Sequence, residues 1–317
     1  IFKYSIKLWG DLMSTVDFSQ LPEPNLIQEL DYESIFNERK EKFIALYPAT
    51  EQNQWRTILN RESDPVVKVL QENAYLELLY RNKCNADARS LLLAYAEGSD
   101  LDHLALTEYG LIRLIVTPAD NSVVPPSPAI YESDERLRER CLLSFDGMNT
   151  AGSANAYRYF ALSADGRVDG IKVKSDEETP CFLDIVITQV DSENGAASAE
   201  LIQIVQTALD PDTVRPVGDR PTVKSSIATN YQIEAVLYVG KNAEDALLLE
   251  AANIRLDKYI KNAQKNGESI YLSAIYAALH VDGIERVQII SPTADLVMDN
   301  YHHPYCTTKS ITVGGVI

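Results

Sequence analysis

Histidine is scarce in this 317-residue chain, with four in all. Two of them fall together in Tyr301-His302-His303-Pro304-Tyr305-Cys306, where adjacent imidazoles and a nearby thiol have the ligand chemistry of a zinc-type site. Neighbouring side chains of an extended segment point to opposite sides, which argues against both rings sharing one ion. The expected reading is therefore a polar loop. Asp100, Asp102 and His103 form a second trio, yet Ser99-Asp100-Leu101-Asp102 also has the composition of a helix N-terminus. There a hydroxyl accepts from backbone N–H groups and acids favour the helix dipole, so capping is the expected role. Cys84, Cys141, Cys181 and Cys306 lie far apart without a CxxC pair, which reads as reduced thiols of a cytosol-made protein. Cys84 sits in a helical stretch with no histidine close in sequence, as a small buried thiol would. No dinucleotide fingerprint, phosphate-binding loop, nucleophile elbow or HExxH occurs, and neither catalytic residues, a metal nor a cofactor is expected.

Charge narrows the partners. Lys plus Arg is 29 and Asp plus Glu is 46, a net charge of −17 spread along the whole chain. Nucleic acid demands a basic surface, and none is visible, so a nucleic-acid partner is excluded. No stretch approaches the roughly 20 apolar residues of a membrane helix, and no membrane association is expected. Hydrophobic residues make up 45% and charged residues 24%, which is the balance of a protein folded around real cores. Met13-Ser14-Thr15 reads as a natural start, so residues 1–12 are expected to be a non-native or upstream leader.

From Asn25 to Tyr109 the elements are helices. Asn25 to Tyr47 ends at Pro48, with Leu26, Leu30, Phe36, Phe43 and Tyr47 facing inward. Pro65 suits the first turn of a longer helix running to about Ala96; its ~32 residues would span roughly 48 Å. Val67, Leu70, Ala74 and Leu78 keep a helical spacing that resumes at Ala88, Leu91, Leu92 and Tyr95, interrupted by Arg81 and Asn85. Leu76, Leu79 and Tyr80 point to another side, and a helix with more than one apolar face must be covered on more than one side. An intramolecular helical core is one solution. A bundle completed by other chains is favoured, with Val67, Leu70, Ala74, Leu78, Arg81, Asn85, Ala88 and Leu92 at the partner interface and the polar members setting register. A short helix, Asp100 to Tyr109, closes at Gly110, and the stretch around Pro118, Pro125, Pro126 and Pro128 reads as a linker and hinge.

The remainder alternates helices and strands. Helices are expected at Ser133–Leu143, Ser153–Ser163, after the cap Ser198, at Glu244–Ile260 and at Leu272–His280. Strands are expected at Val168–Lys174, Phe182–Val190, Thr222–Ile227, Tyr231–Val239, Ile284–Ser291 and Ser310–Val316. The strings Val168-Asp169-Gly170-Ile171 and Val281-Asp282-Gly283-Ile284 each follow a helix and open a strand that ends at a serine, which suggests two related units. The fold class is α+β: a long-helix bundle region, then two small α+β units with mixed or antiparallel sheets. Five segments follow: the leader 1–12, a helical domain 13–117, a Pro-rich linker 118–130, and α+β domains 131–225 and 226–317.

From Met13 onward the chain resembles the baseplate assembly protein J family of temperate contractile-tailed bacteriophages and related phage-tail-like particles. The resemblance rests on Leu21-Pro22-Glu23-Pro24, Glu62-Ser63-Asp64-Pro65, Leu70-Gln71-Glu72-Asn73-Ala74-Tyr75 and Gly98-Ser99-Asp100-Leu101-Asp102-His103-Leu104-Ala105. It continues through Tyr131-Glu132-Ser133-Asp134, Ala161-Leu162-Ser163-Ala164-Asp165-Gly166-Arg167-Val168, Val214-Arg215-Pro216 and the run from Ser273 to His280. It implies a structural, non-enzymatic protein of the virion tail baseplate, made and assembled in the bacterial host cytoplasm. Two copies would join one tail protein I-type partner through a helical bundle, giving wedges in a ring around the central hub and spike. A small wedge protein with a lysozyme-like fold would dock there, and neighbouring wedges would meet through the C-terminal region. The ring would start sheath assembly and rearrange on contraction. Two other classes compete: a two-domain α/β enzyme, which needs convergent titratable groups, and a host-surface-binding tail protein, for which seventeen tyrosines speak.

Overall fold

The computed structural model describes residues 30–148, 152–175, 178–179, 181–240 and 245–316. The expected leader, the Leu21–Pro24 string and the helix start at Asn25 with Leu26 lie outside the described residues. Two compact units divide between Gly110 and Leu111. The division precedes the Pro-rich segment expected to be the linker.

The first unit is helical: α1 Tyr32–Ala45, α2 Gln52–Leu59, α3 Pro65–Ser90 and α4 Gly98–Tyr109. Asp31 caps α1 by accepting from the N–H groups of Glu33 and Ser34, which leaves Leu30 exposed ahead of the cap instead of inward. Asp64 caps α3 through the N–H of Val66, with Pro65 in the first turn, where its missing N–H costs nothing. Ile35, Phe36 and Ile44 of α1, Leu59 of α2, and Val67, Leu70 and Ala74 of α3 form one core. Phe43 and Tyr47 pack half-buried around Trp55, at 5.4 and 4.5 Å between ring centroids.

α3 is shorter than its periodicity promised. It ends at Ser90 after 26 residues, about 39 Å, and Leu92 and Tyr95 fall in a following turn that buries Ala96. Asn85, Asp87 and Ser90 crowd its last turns, where short polar side chains compete for backbone groups; Ser90 Oγ donates to the Asp87 carbonyl at 3.0 Å. α4 starts at Gly98, one residue before the expected cap: Ser99 lies inside the helix, and Glu97 precedes it without a side-chain cap bond.

In the second unit, β1 Ile115–Thr117 pairs antiparallel with β2 Ile130–Tyr131. The Pro-rich segment is the loop of this hairpin. Asp120 and Ser127 exchange both backbone hydrogen bonds at 2.9 Å, and the four prolines, which lack an N–H, occupy positions outside that pairing. Next come α5 Asp134–Leu143, capped by Ser133, and α6 Ala154–Ala164, capped by Ser153.

Two three-stranded sheets follow. The first comprises β3 Val168–Ser175, β4 Phe182–Gln189 and β5 Arg220–Ser225 in the order β3-β4-β5, with α7 Ala199–Leu209 between β4 and β5 in the chain. The second comprises β6 Ile227–Val239, β7 Ile284–Ser291 and β8 His302–Val316 in the order β7-β6-β8, with α8 Asp245–Ala263 and α9 Leu272–Leu279 following β6. In both, the central strand runs antiparallel to one neighbour and parallel to the other. Leu201, Val205 and Leu209 of α7 pack on Ile185, Ile187 and Val223 in one core; Ala252, Leu256, Ile275 and Leu279 pack on Ile233, Ala235 and Leu237 in the other. The fold is α+β.

The repeated string divides structurally. Gly170 lies within β3 at a register shift, its N–H donating to Thr188 Oγ1 at 2.7 Å. Gly283 instead precedes β7 with φ 101°. The units share a sheet plan, while the four residues take different conformations. The Tyr301–Cys306 segment is not a loop: from His302 it is the first part of β8, which is longer than the expected Ser310 start. Pairing with β6 provides the backbone partners that no local pattern reveals.

Candidate assembly surface

At 100° per residue, Val67, Leu70, Ala74 and Leu78 line one side of α3 and Val69, Leu76, Leu79 and Tyr80 the other. Val67, Leu70 and Ala74 are buried in the chain's own core, and Leu78 packs beside them. These four, expected at a partner interface, are covered by α1 and α2. Asn85 is likewise buried, Ala88 is half-buried, and Leu92 lies beyond the helix. Arg81 is tied to Glu77 and reaches Glu38 of α1 at 4.0 Å, so it joins helices within the chain. The opposite side is open: Leu76 is 52% exposed, Leu79 46%, Tyr80 68% and Val69 55%.

Charge borders that apolar strip. Arg39 donates to Glu77 at 2.8 Å, and a shallow groove is lined by Arg39, Asn73, Leu76, Glu77, Tyr80 and Arg81. Partial burial pushes the Glu77 carboxyl upward, but hydrogen bonds from Arg81 and Arg39 outweigh it and hold the group below its ordinary value. A fixed anionic point flanked by two guanidiniums beside exposed leucines is suited to a helix that brings both apolar and polar side chains.

The second unit buries a charge cluster that sequence reasoning missed. Glu132, Arg136 and Arg140 stand at i, i+4 and i+8 and are all buried. Glu132 Oε1 accepts from Arg140 and from the Leu114 N–H at 2.9 Å; Glu132 Oε2 faces Arg136 Nε at 3.4 Å. Arg136 also donates to the carbonyls of Leu162, Asp165 and Gly166, the C-terminal end of α6. Gly166 is required there, because a Cβ would strike the Ile115 backbone. Arg113 completes the cluster by donating to the Glu132 carbonyl at 2.7 Å and to Asp134 at 2.6 Å. The i, i+4, i+8 spacing was the available signal. This cluster ties hairpin, α5 and α6 together, with Glu132 Oε2 and Arg136 Nε held by their ion pair alone and without a hydrogen bond.

The histidines separate as alternation requires. His302 Nδ1 lies 2.6 Å from Asp299, whereas His303 is fully buried, with Nδ1 2.8 Å from Ser226 Oγ and Nε2 2.7 Å from the Asn194 carbonyl. Burial pulls the His303 pKa below its ordinary value. All four cysteines are free; burial pushes the Cys141 thiol up to about 11 and raises Cys306 as well, which suppresses the nucleophilic thiolate. Cys84 is half-buried. Asp100, Asp102 and His103 are exposed on the first turns of α4. Among the described residues no group of three or more His, Cys, Asp or Glu is placed to hold a metal ion, and no helix is long and apolar enough to cross a membrane.

Together these features define an α+β protein whose prominent site, among the described residues, is an open apolar helix face. Three family profiles match in order along the chain: the Baseplate J-like N-terminal domain over residues 62–120, the Baseplate J-like central domain over 149–225 and the Baseplate J-like protein C-terminal domain over 231–313. Baseplate protein J of Escherichia phage P2 is 44% identical over 303 residues, covering 96% of this chain and 99% of that protein. The chain belongs to the baseplate J-like family.

Proposed function

We propose that this chain is a structural subunit of a phage tail baseplate, located in the virion tail. The observation that carries this is the end-to-end similarity to a baseplate protein J, through all three family domains. The finer reading follows the resemblance: two copies and one tail protein I-type partner form a wedge, wedges ring the central hub and spike, and a lysozyme-like-fold wedge protein docks on them. Assembly takes place in the bacterial host cytoplasm and starts the sheath. The open face of α3 supports a helical bundle with the partner through Val69, Leu76, Leu79 and Tyr80. On this reading the partner lies against the side of α3 opposite the one first expected from periodicity.

Contraction would require a joint. Gly110 ends α4 in the left-handed conformation, φ 66°, where the two compact units divide, and this supports a pivot there. Pro118, Pro125, Pro126 and Pro128 would then brace the hairpin instead of bending the chain. The test is co-expression with the tail protein I-type partner. Leu76→Asp and Tyr80→Asp should leave a folded chain that no longer co-purifies with it, and retained binding by both variants would sink the bundle. Tagged chain found away from the tail end in particle images would sink the baseplate assignment itself.

A further inference from the structure

β5 ends at Ser225 and β6 begins at Ile227, so Ser226 alone connects the two sheets along the chain. A connection this short sets a swivel point, and the angle between the sheets must be fixed by other contacts. The two core clusters share no member, and polar side chains cross the joint instead. Asn266, in the loop between α8 and α9, is 3% exposed and reaches into the first sheet. Its Nδ2 donates to the Val186 carbonyl of β4 at 2.7 Å and to the Gly170 carbonyl of β3 at 3.3 Å. The register of β3 on β4 shifts between Val168 and Ile171, and the Gly170 N–H is taken by Thr188 Oγ1, so the ladder is interrupted where the amide enters. A reversed amide would set an oxygen against both carbonyls, and in the observed orientation Oδ1 has no hydrogen-bond partner among the described residues.

Two further contacts cross the same joint. A carbonyl only accepts, so His303 Nε2 carries the proton given to Asn194 of the loop after β4, and Nδ1 accepts from Ser226 Oγ. The Tyr301 hydroxyl donates to Asp184 Oδ2 of β4 at 2.7 Å, where Lys224 of β5 also donates. Glycines allow the close approach: a Cβ at Gly195 would lie 2.8 Å from His303 Nε2, and one at Gly267 would lie 2.9 Å from Lys172 Cε. Both have positive φ, 79° and 71°. We propose that Asn266, with His303 and Tyr301 beside it, is a polar latch that holds the second sheet in one orientation on the first. With the latch broken, each sheet keeps its own core and the pair swings about Ser226. The chain thus has a second joint, held shut, besides the one supported at Gly110. This goes beyond the baseplate reading and concerns the isolated chain.

The test uses the full chain with spin labels at two exposed positions, Gln203 of α7 and Lys258 of α8, attached through a keto amino acid so that the four native cysteines stay. The wild type should give one narrow distance. Asn266→Asp sets a carboxylate against two carbonyl oxygens, and Asn266→Ala with Tyr301→Phe removes the bonds more gently. Each should replace the narrow distance with a broad distribution, and the Ser226 amide should exchange at least about tenfold faster. Amides within β4 and β6 should stay as slow as in the wild type. A broad wild-type distribution, or a narrow one that survives in either variant, would overturn the latch. Faster exchange throughout β4 and β6 would overturn it too, since the joint would then belong to one cooperative core. If the aspartate variant does not fold, the alanine and phenylalanine pair decides.

Discussion

His303 and Glu132 show how residue-scale chemistry here is committed to the fold. His303 spans segments far apart in the chain, with Ser226 77 residues away and Asn194 109 residues away, and burial keeps its imidazole neutral more readily than in water. The unfolded chain, with an ordinary histidine near 6.5, takes up the proton first as pH falls. Stability from this site is therefore present at neutral pH and is lost below about 6.5, until the folded imidazole is itself protonated. His303→Gln should flatten that part of the pH dependence, read as urea midpoints at pH 7.5, 6.5 and 5.5; an unchanged slope would exclude His303 as its source. Glu132→Gln leaves Arg136 and Arg140 buried without their carboxylate and should cost about 3–5 kcal/mol in chemical denaturation. The divergence of His302 and His303 was legible from strand alternation. The partners of His303 were not, because they arrive from the junction of β5 and β6 and from the loop after β4.

At the scale of elements, α3 carries two apolar faces that periodicity detects equally well. Which one the chain covers depends on where α1 and α2 pack, and that depends on Ile35, Phe36, Ile44 and Leu59, distant in sequence from the stripe they meet. Leu70→Ala should therefore destabilise by about 2–5 kcal/mol, whereas Leu76→Ala should stay within about 0.5 kcal/mol, as separate unfolding curves would report. Equal costs would mean that the outer face is also covered within the chain. Helix starts at Asp31, Asp64, Ser133, Ser153 and Ser198 obey local capping chemistry and were open to sequence reasoning, apart from α1, whose cap lies downstream of the expected start. The end of α3 was harder to place, because residues 88–95 keep an apolar spacing after the helical hydrogen bonds stop.

For the whole molecule, the division between Gly110 and Leu111 predicts where a protease first cuts. Brief digestion with a broad-specificity protease should cleave near residues 109–113 and spare residues 118–128, whose hairpin is closed by Asp120 and Ser127. Fragment masses decide between these sites, and a first cut among the prolines would return the joint to that segment. Proline content alone suggested a linker, because it marks backbone that cannot pair. The loop of a paired hairpin satisfies the same constraint.

The sequence by itself determined the acidic surface, most helix and strand positions, the α+β class and the family, since these follow from composition, local periodicity and the order of motifs along the chain. Tertiary structure decided which face of α3 remains open, where α3 stops, that Tyr301–Cys306 leads into a strand, and that Glu132 lies buried between two arginines. Each of these depends on a partner brought from far along the chain, and a periodic pattern records that a residue is apolar or charged without recording what it will meet.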